Sequence, residues 1–123
     1  MKKLTQFKPQ LITDTFFSDV EPDVINQGRC FVWSYLAYKA FKGVELYDTN
    51  VHAFVRYKGK YYDSERPNGE KNWWDLPANK YASAAPTKRR MGEFRIRWVS
   101  QTHRFQTTWQ EIDDQVKKVR EHK

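Results

Sequence analysis

Cys30-Phe31-Val32-Trp33-Ser34-Tyr35-Leu36-Ala37-Tyr38-Lys39-Ala40-Phe41 contains neither proline nor glycine. Two sets of its residues follow helical spacing: Phe31, Ser34, Tyr35, Tyr38 and Phe41 form one, and Trp33, Leu36, Ala37 and Ala40 the other. A helix that is apolar almost all round is a buried one, so this segment is expected to be the central helix of the core. Gly43 stands where a C-cap is expected, and Gly28 marks a tight turn just before the helix start.

Downstream, Val51-His52-Ala53-Phe54-Val55-Arg56-Tyr57 and Lys60-Tyr61-Tyr62-Asp63-Ser64 are rich in β-branched and aromatic residues and meet at Lys58-Gly59. That pattern predicts a β-hairpin. A two-residue turn there pairs Tyr57 with Lys60, Val55 with Tyr62 and Phe54 with Asp63, and sets His52 opposite Glu65. His52 and Asp63 then share one face as diagonal neighbours, about 7–8 Å apart between backbone positions across the two strands. A four-residue loop keeps that parity, whereas a three-residue loop sends Asp63 to the opposite face.

Around this centre, residues 1–26 read as a loop or short helix leading into the first major element, with an apolar knot at Phe16-Phe17. Residues 65–92, interrupted by Pro67, Pro77 and Pro86, read as a long irregular connection anchored to the core by the Trp73-Trp74 pair. Glu93-Phe94-Arg95-Ile96-Arg97-Trp98-Val99 alternates polar and apolar residues, which predicts a strand with Phe94, Ile96 and Trp98 inward. Trp109, Ile112, Val116 and Val119 recur at helical spacing after Thr108, with Glu111 three residues beyond it, which predicts a capped C-terminal helix. The fold class expected is α+β: a Cys30-bearing helix on an antiparallel sheet of three or four strands, with a C-terminal helix.

The chain of 123 residues is sized for one domain spanning 1–123. Only 39% of residues are hydrophobic but 16% are aromatic, so a few large rings must supply much of the buried area. A net charge of +7 favours anionic partners without choosing among them. The lone cysteine excludes an intramolecular disulfide and a cysteine-rich metal site. No continuous apolar run follows Met1-Lys2-Lys3, and no stretch approaches the roughly 20 apolar residues of a membrane span, so a cytoplasmic protein without membrane contact is expected.

Chemistry concentrates where the helix and hairpin meet. A thiol at a helix N-terminus beside a positive charge is set up to become a thiolate, and Cys30 stands there, behind Asn26-Gln27-Gly28-Arg29. Loop amides, with Gln27 as the preferred side chain and Asn26 beside it, are candidate oxyanion donors. His52 is the candidate base, and Asp63 the carboxylate that orients it. Such a set attacks an amide or ester carbonyl through a thioester; water as second substrate gives hydrolysis, an amine transamidation. No metal or organic cofactor is implied.

Asn26 to Trp33, Val51 to Val55 and Gly59 to Ser64 together resemble the core of transglutaminase-like cysteine peptidases, within the wider papain-like group. The match covers about residues 26–65. The resemblance implies a papain-like fold with Cys30, His52 and Asp63 as nucleophile, base and orienter, and a peptide or protein amide as substrate. The 22 residues from Cys30 to His52 are a short interval for that group, and the chain is small.

Other readings compete residue by residue. Cys30 alone suits a small buried apolar position, and His52 alone a hydrogen-bonded strand residue. His103 and His122 are rival bases, and Glu65 is a rival orienter. Trp33 and Trp74 are counted as candidates for the substrate cleft. Lys88, Arg89, Arg90, Arg95 and Arg97 form either a solvated surface or a patch for nucleic acid or an acidic protein; in the second case the chain is a non-enzymatic basic binding module.

Overall fold

The computed structural model describes residues 2–121. Its order is α1 (Pro9–Phe16), α2 (Pro22–Ile25), α3 (Cys30–Ala40), β1 (Glu45–Asp48), β2 (Ala53–Tyr57), β3 (Lys60–Tyr62), β4 (Thr87–Arg89), α4 (Met91–Arg97), α5 (Val99–Arg104) and α6 (Trp109–Arg120). The architecture is α+β: one antiparallel sheet in the order β3-β2-β1-β4, with helices packed against it. No helix among the described residues is long and apolar enough to cross a membrane.

α3 is the hub. It touches β1 and β2 as well as α1 and α6, and Phe31, Trp33, Tyr35, Leu36, Ala37 and Ala40 are all buried. The helix ends at Phe41, whose backbone is already extended, so Gly43 lies in the turn that follows and is not the C-cap. The expected hairpin forms in the expected register, Val55 with Tyr62 and Tyr57 with Lys60. Its turn needs positive φ at both central residues, and Lys58 (47°) and Gly59 (82°) supply it. β1 pairs centrally with β2 and β4, and Glu45-Leu46-Tyr47-Asp48 carries only two residues per face, too short a pattern to announce a strand.

The predicted strand at 93–99 is a helix. Alternation makes residues i and i+4 share a face, but so does a helix, and Phe94 and Trp98 satisfy both patterns. Ile96 separates them: it is 78% exposed, opposite the buried Phe94. The Glu93 carboxylate accepts the Arg90 amide N–H at 3.0 Å, tying down the first turn of α4. α6 begins as expected, the Thr108 hydroxyl accepting the Glu111 amide N–H at 3.1 Å, and Ile112, Val116 and Val119 face the core. The 65–92 connection holds β4 and two short 3-10 turns; Leu76 and Asn79 anchor it, while Trp74 stands 58% exposed.

The two helix faces give a direct test. Phe94→Ala should cost about 3–5 kcal/mol in urea unfolding, as emptying a large core position does. Ile96→Ala should change stability by less than about 0.5 kcal/mol. A strand would make the two losses comparable.

Candidate active site

Cys30 is the first residue of α3. The chain reaches it through Gly28 at φ +140°, with the Phe105 ring so close that a Cβ there would lie 2.8 Å from it. Only glycine fits both constraints. The Ala53 amide N–H points at the Cys30 sulfur at 3.5 Å. Cys30 keeps 4% of its surface, so it is covered rather than open.

His52 is the last residue of the loop joining β1 to β2 and is fully buried. The Thr49 amide donates to its carbonyl at 2.9 Å, which closes that loop. The ring lies nearly parallel to Phe54, 5.7 Å centroid to centroid. Its Nε2 is 2.9 Å from Asp63 Oδ2, and Asp63 is only 1% exposed. The other carboxylate oxygen accepts the amide N–H groups of Glu65 (2.9 Å) and Arg66 (3.0 Å), so the chain beyond β3 turns around Asp63 and locks its orientation.

With Nε2–H donated to the carboxylate, Nδ1 is the basic nitrogen. It has no well-formed hydrogen bond to any protein group. Burial, the largest influence, works to lower the imidazole pKa. The hydrogen bond to Asp63, the hydrogen bonding and charge of Cys30 and the Asp63 charge outweigh burial and carry it up to about 9. His52 and Asp63 meet in the expected register, and the Cys30 sulfur lies against the amide of Ala53, the residue that follows His52.

The other candidates divide. Asn26 gives its amide to Glu65 Oε1 at 2.8 Å and takes the Ser64 hydroxyl at 3.1 Å, which staples the 63–65 turn to the end of α2. That engagement removes Asn26 as an oxyanion donor and Glu65 as the orienter. Gln27 is exposed and lines a cleft of about 300 Å³ together with Asn26, Glu65, Lys80 and Tyr81. Trp33 does not reach a cleft: it is buried and donates its indole N–H to Thr13 Oγ1 at 3.0 Å. Trp74 packs edge-on against Trp73 and lines no part of the Gln27 cleft. His103 is exposed on α5, and His122 lies outside the described residues.

The five cations read as a binding patch are each beside a carboxylate. Lys88 pairs with Glu45, Arg89 and Arg97 with Asp48, Arg90 with Glu93 and Arg95 with Asp113. Sequence reading missed the Ala53 amide, because a backbone donor leaves no residue-type signal. Among the described residues no group of three or more His, Cys, Asp or Glu side chains is placed to hold a metal ion. Comparison with protein-family models, curated proteins and solved structures finds no match to this chain.

A raised imidazole pKa means that the folded protein holds this proton more tightly than the unfolded chain, whose histidine titrates near 6.5. The contribution is complete below pH 6.5 and is lost as pH rises through about 9. Urea unfolding should therefore show stability declining across that interval. In His52→Asn the decline should flatten; an unchanged slope would mean that His52 is not the group responsible.

Proposed function

We propose that this chain is a small cysteine-dependent hydrolase that attacks an amide bond in a peptide or protein. The observation that carries the reading is the His52 ring, held by Asp63 at 2.9 Å through one nitrogen and without a protein hydrogen bond at the other, on a chain whose next amide, Ala53 N–H, points at the sulfur of Cys30, the residue that opens α3. A core cysteine and a structural histidine need no such order. The papain-like, transglutaminase-like resemblance of residues 26–65 agrees with this reading, as does the chain order Cys, His, Asp.

In the reaction, the Cys30 proton rests on His52 as a thiolate–imidazolium pair, and the thiolate attacks the carbonyl carbon. The negative oxygen of the tetrahedral intermediate is held by N–H groups at the α3 N-terminus, with the Gln27 carboxamide as side-chain candidate. Collapse breaks the C–N bond, and His52 returns its proton to the leaving amine. Water, deprotonated by the same ring, then cleaves the thioester to a carboxylic acid and regenerates the thiol. Asp63 holds the ring in one tautomer and balances its charge while it is protonated. Because Cys30 is covered, a polypeptide substrate needs neighbouring side chains to move aside. Phe105, half-buried, packs over the Gly28 turn two residues before Cys30 and is the candidate cover.

Iodoacetamide labelling tests this directly. Cys30 should react rapidly well below pH 8, and His52→Ala should return the inflection to about 8.5, the range of a free thiol. Phe105→Ala should speed labelling several-fold at fixed pH without moving the inflection. A parent protein that labels slowly, with an ordinary thiol profile, would end the proposal.

A further inference from the structure

Asp48 closes β1 and is 1% exposed, a carboxylate that the interior tolerates only when its oxygens are fully engaged. Oδ1 accepts Arg89 Nε–H at 3.0 Å from the neighbouring strand β4. Oδ2 lies 3.1 Å from Arg97 Nε and accepts the Trp98 indole N–H, also at 3.1 Å. Two guanidinium groups and an indole thus converge on one carboxylate, and two of the three come from the end of α4. Charge-assisted bonds of this kind are the strong ones.

The next residue is the first of the loop that ends at His52. Arg97 Nη2 donates to the Thr49 carbonyl at 3.2 Å, while the Thr49 amide donates to the His52 carbonyl at 2.9 Å. The Thr49 hydroxyl accepts the Val51 amide N–H at 3.3 Å and bonds Asn79 Oδ1 at 2.9 Å. One guanidinium therefore spans the buried Asp48 carboxylate and the loop backbone. That loop fixes where the imidazole starts from, and a misplacement of about 1 Å at a reacting group costs on the order of a hundredfold in rate.

We propose that Asp48, acting through Arg97, is a positioning residue that holds the 49–52 loop so that the His52 ring faces Cys30 while bonded to Asp63. The proposal rests on the catalytic reading of those three residues. A merely structural attachment predicts that any link fastening α4 to the body is equivalent. Asp113 supplies the comparison, because it fastens the same helix to α6 through Arg95 at 2.6 Å and bonds no residue of the 48–52 segment.

The test compares Arg97→Gln with Asp113→Asn in the whole chain, by the pH profile of Cys30 alkylation and by thermal melting. Arg97→Gln should move the inflection toward the free-thiol range and slow alkylation at pH 6.5 by roughly tenfold to a hundredfold. Asp113→Asn should lower the melting temperature but keep the parental inflection. A parental profile in Arg97→Gln, or the same displacement in both variants, overturns the proposal. NMR of the His52–Asp63 hydrogen-bonded proton separates the two levels: its signal should persist in the parent and in Asp113→Asn and weaken in Arg97→Gln. If the parent thiol proves ordinary, the catalytic reading falls; an undisturbed proton in Arg97→Gln overturns the positioning role whatever the thiol does.

Discussion

A fully buried imidazole bonded to a buried carboxylate is the constraint around which this small fold is arranged. Neither group belongs in an apolar interior alone: an ionised carboxylate without partners is expelled or protonated, and an unpaired imidazolium is scarcely better. Together, with two backbone amides on the second carboxylate oxygen, they are tolerated. Satisfying them requires the β2–β3 hairpin in one register, because a slip of one residue would carry Asp63 to the other face. Lys58 and Gly59 fix that register, and the staple from Asn26 to Glu65 holds the far end of the turn. The thiol enters the same arrangement through a different device, the glycine turn that starts α3.

Much of this was legible in the residues. The buried helix showed itself by its all-round apolarity, the hairpin by two aromatic and β-branched runs meeting at Lys58-Gly59, and α6 by its threonine cap. The pairing of His52 with Asp63 followed from the hairpin register, which is an argument about parity and survives errors of a residue or two at strand ends, whereas Cys30 stood out by its place at a helix start. β2 and β3 are shorter than expected, yet His52 and Asp63 still meet just beyond them.

What was not legible had identifiable physical causes. Periods of 2 and 3.6 coincide at i and i+4, so Phe94 and Trp98 could not distinguish strand from helix, and the deciding partners of Arg95 and Arg97 are 18 and 49 residues away. β1 is buried at the sheet centre but spans only four residues, below the length at which alternation is readable. Asn26 looked like an oxyanion donor because its position relative to Cys30 is right, but its amide is committed across the fold to Glu65. Likewise a basic run in sequence says nothing about how many of its charges already have partners. Glu45, Asp48, Glu93 and Asp113 meet all five of the cations that suggested an anion-binding face. The exposed pairs among them contribute little to stability. They do argue against reading this run as five uncompensated charges, since each cation already has a carboxylate beside it.

The enclosure of Cys30 sets two accounts of the centre against each other. A packing role explains the burial, because cysteine behaves as a small apolar residue. It leaves the chemistry of the neighbours without a cause. A purely structural His52 would gain from satisfying both ring nitrogens, as nearly all buried polar groups do, and an unsatisfied one costs about 1–3 kcal/mol. Here the carboxylate is saturated by three bonds, while the basic ring nitrogen is left without a well-formed one. Buried polar atoms of Ser34, Arg56, Gln101 and Trp109 also lack partners. What sets Nδ1 apart is that its ring is fixed by Asp63 at the other nitrogen, the arrangement that proton exchange with a sulfur requires. Enclosure is then compatible with catalysis, since exclusion of water strengthens the pairing of thiolate and imidazolium once a substrate has displaced the cover.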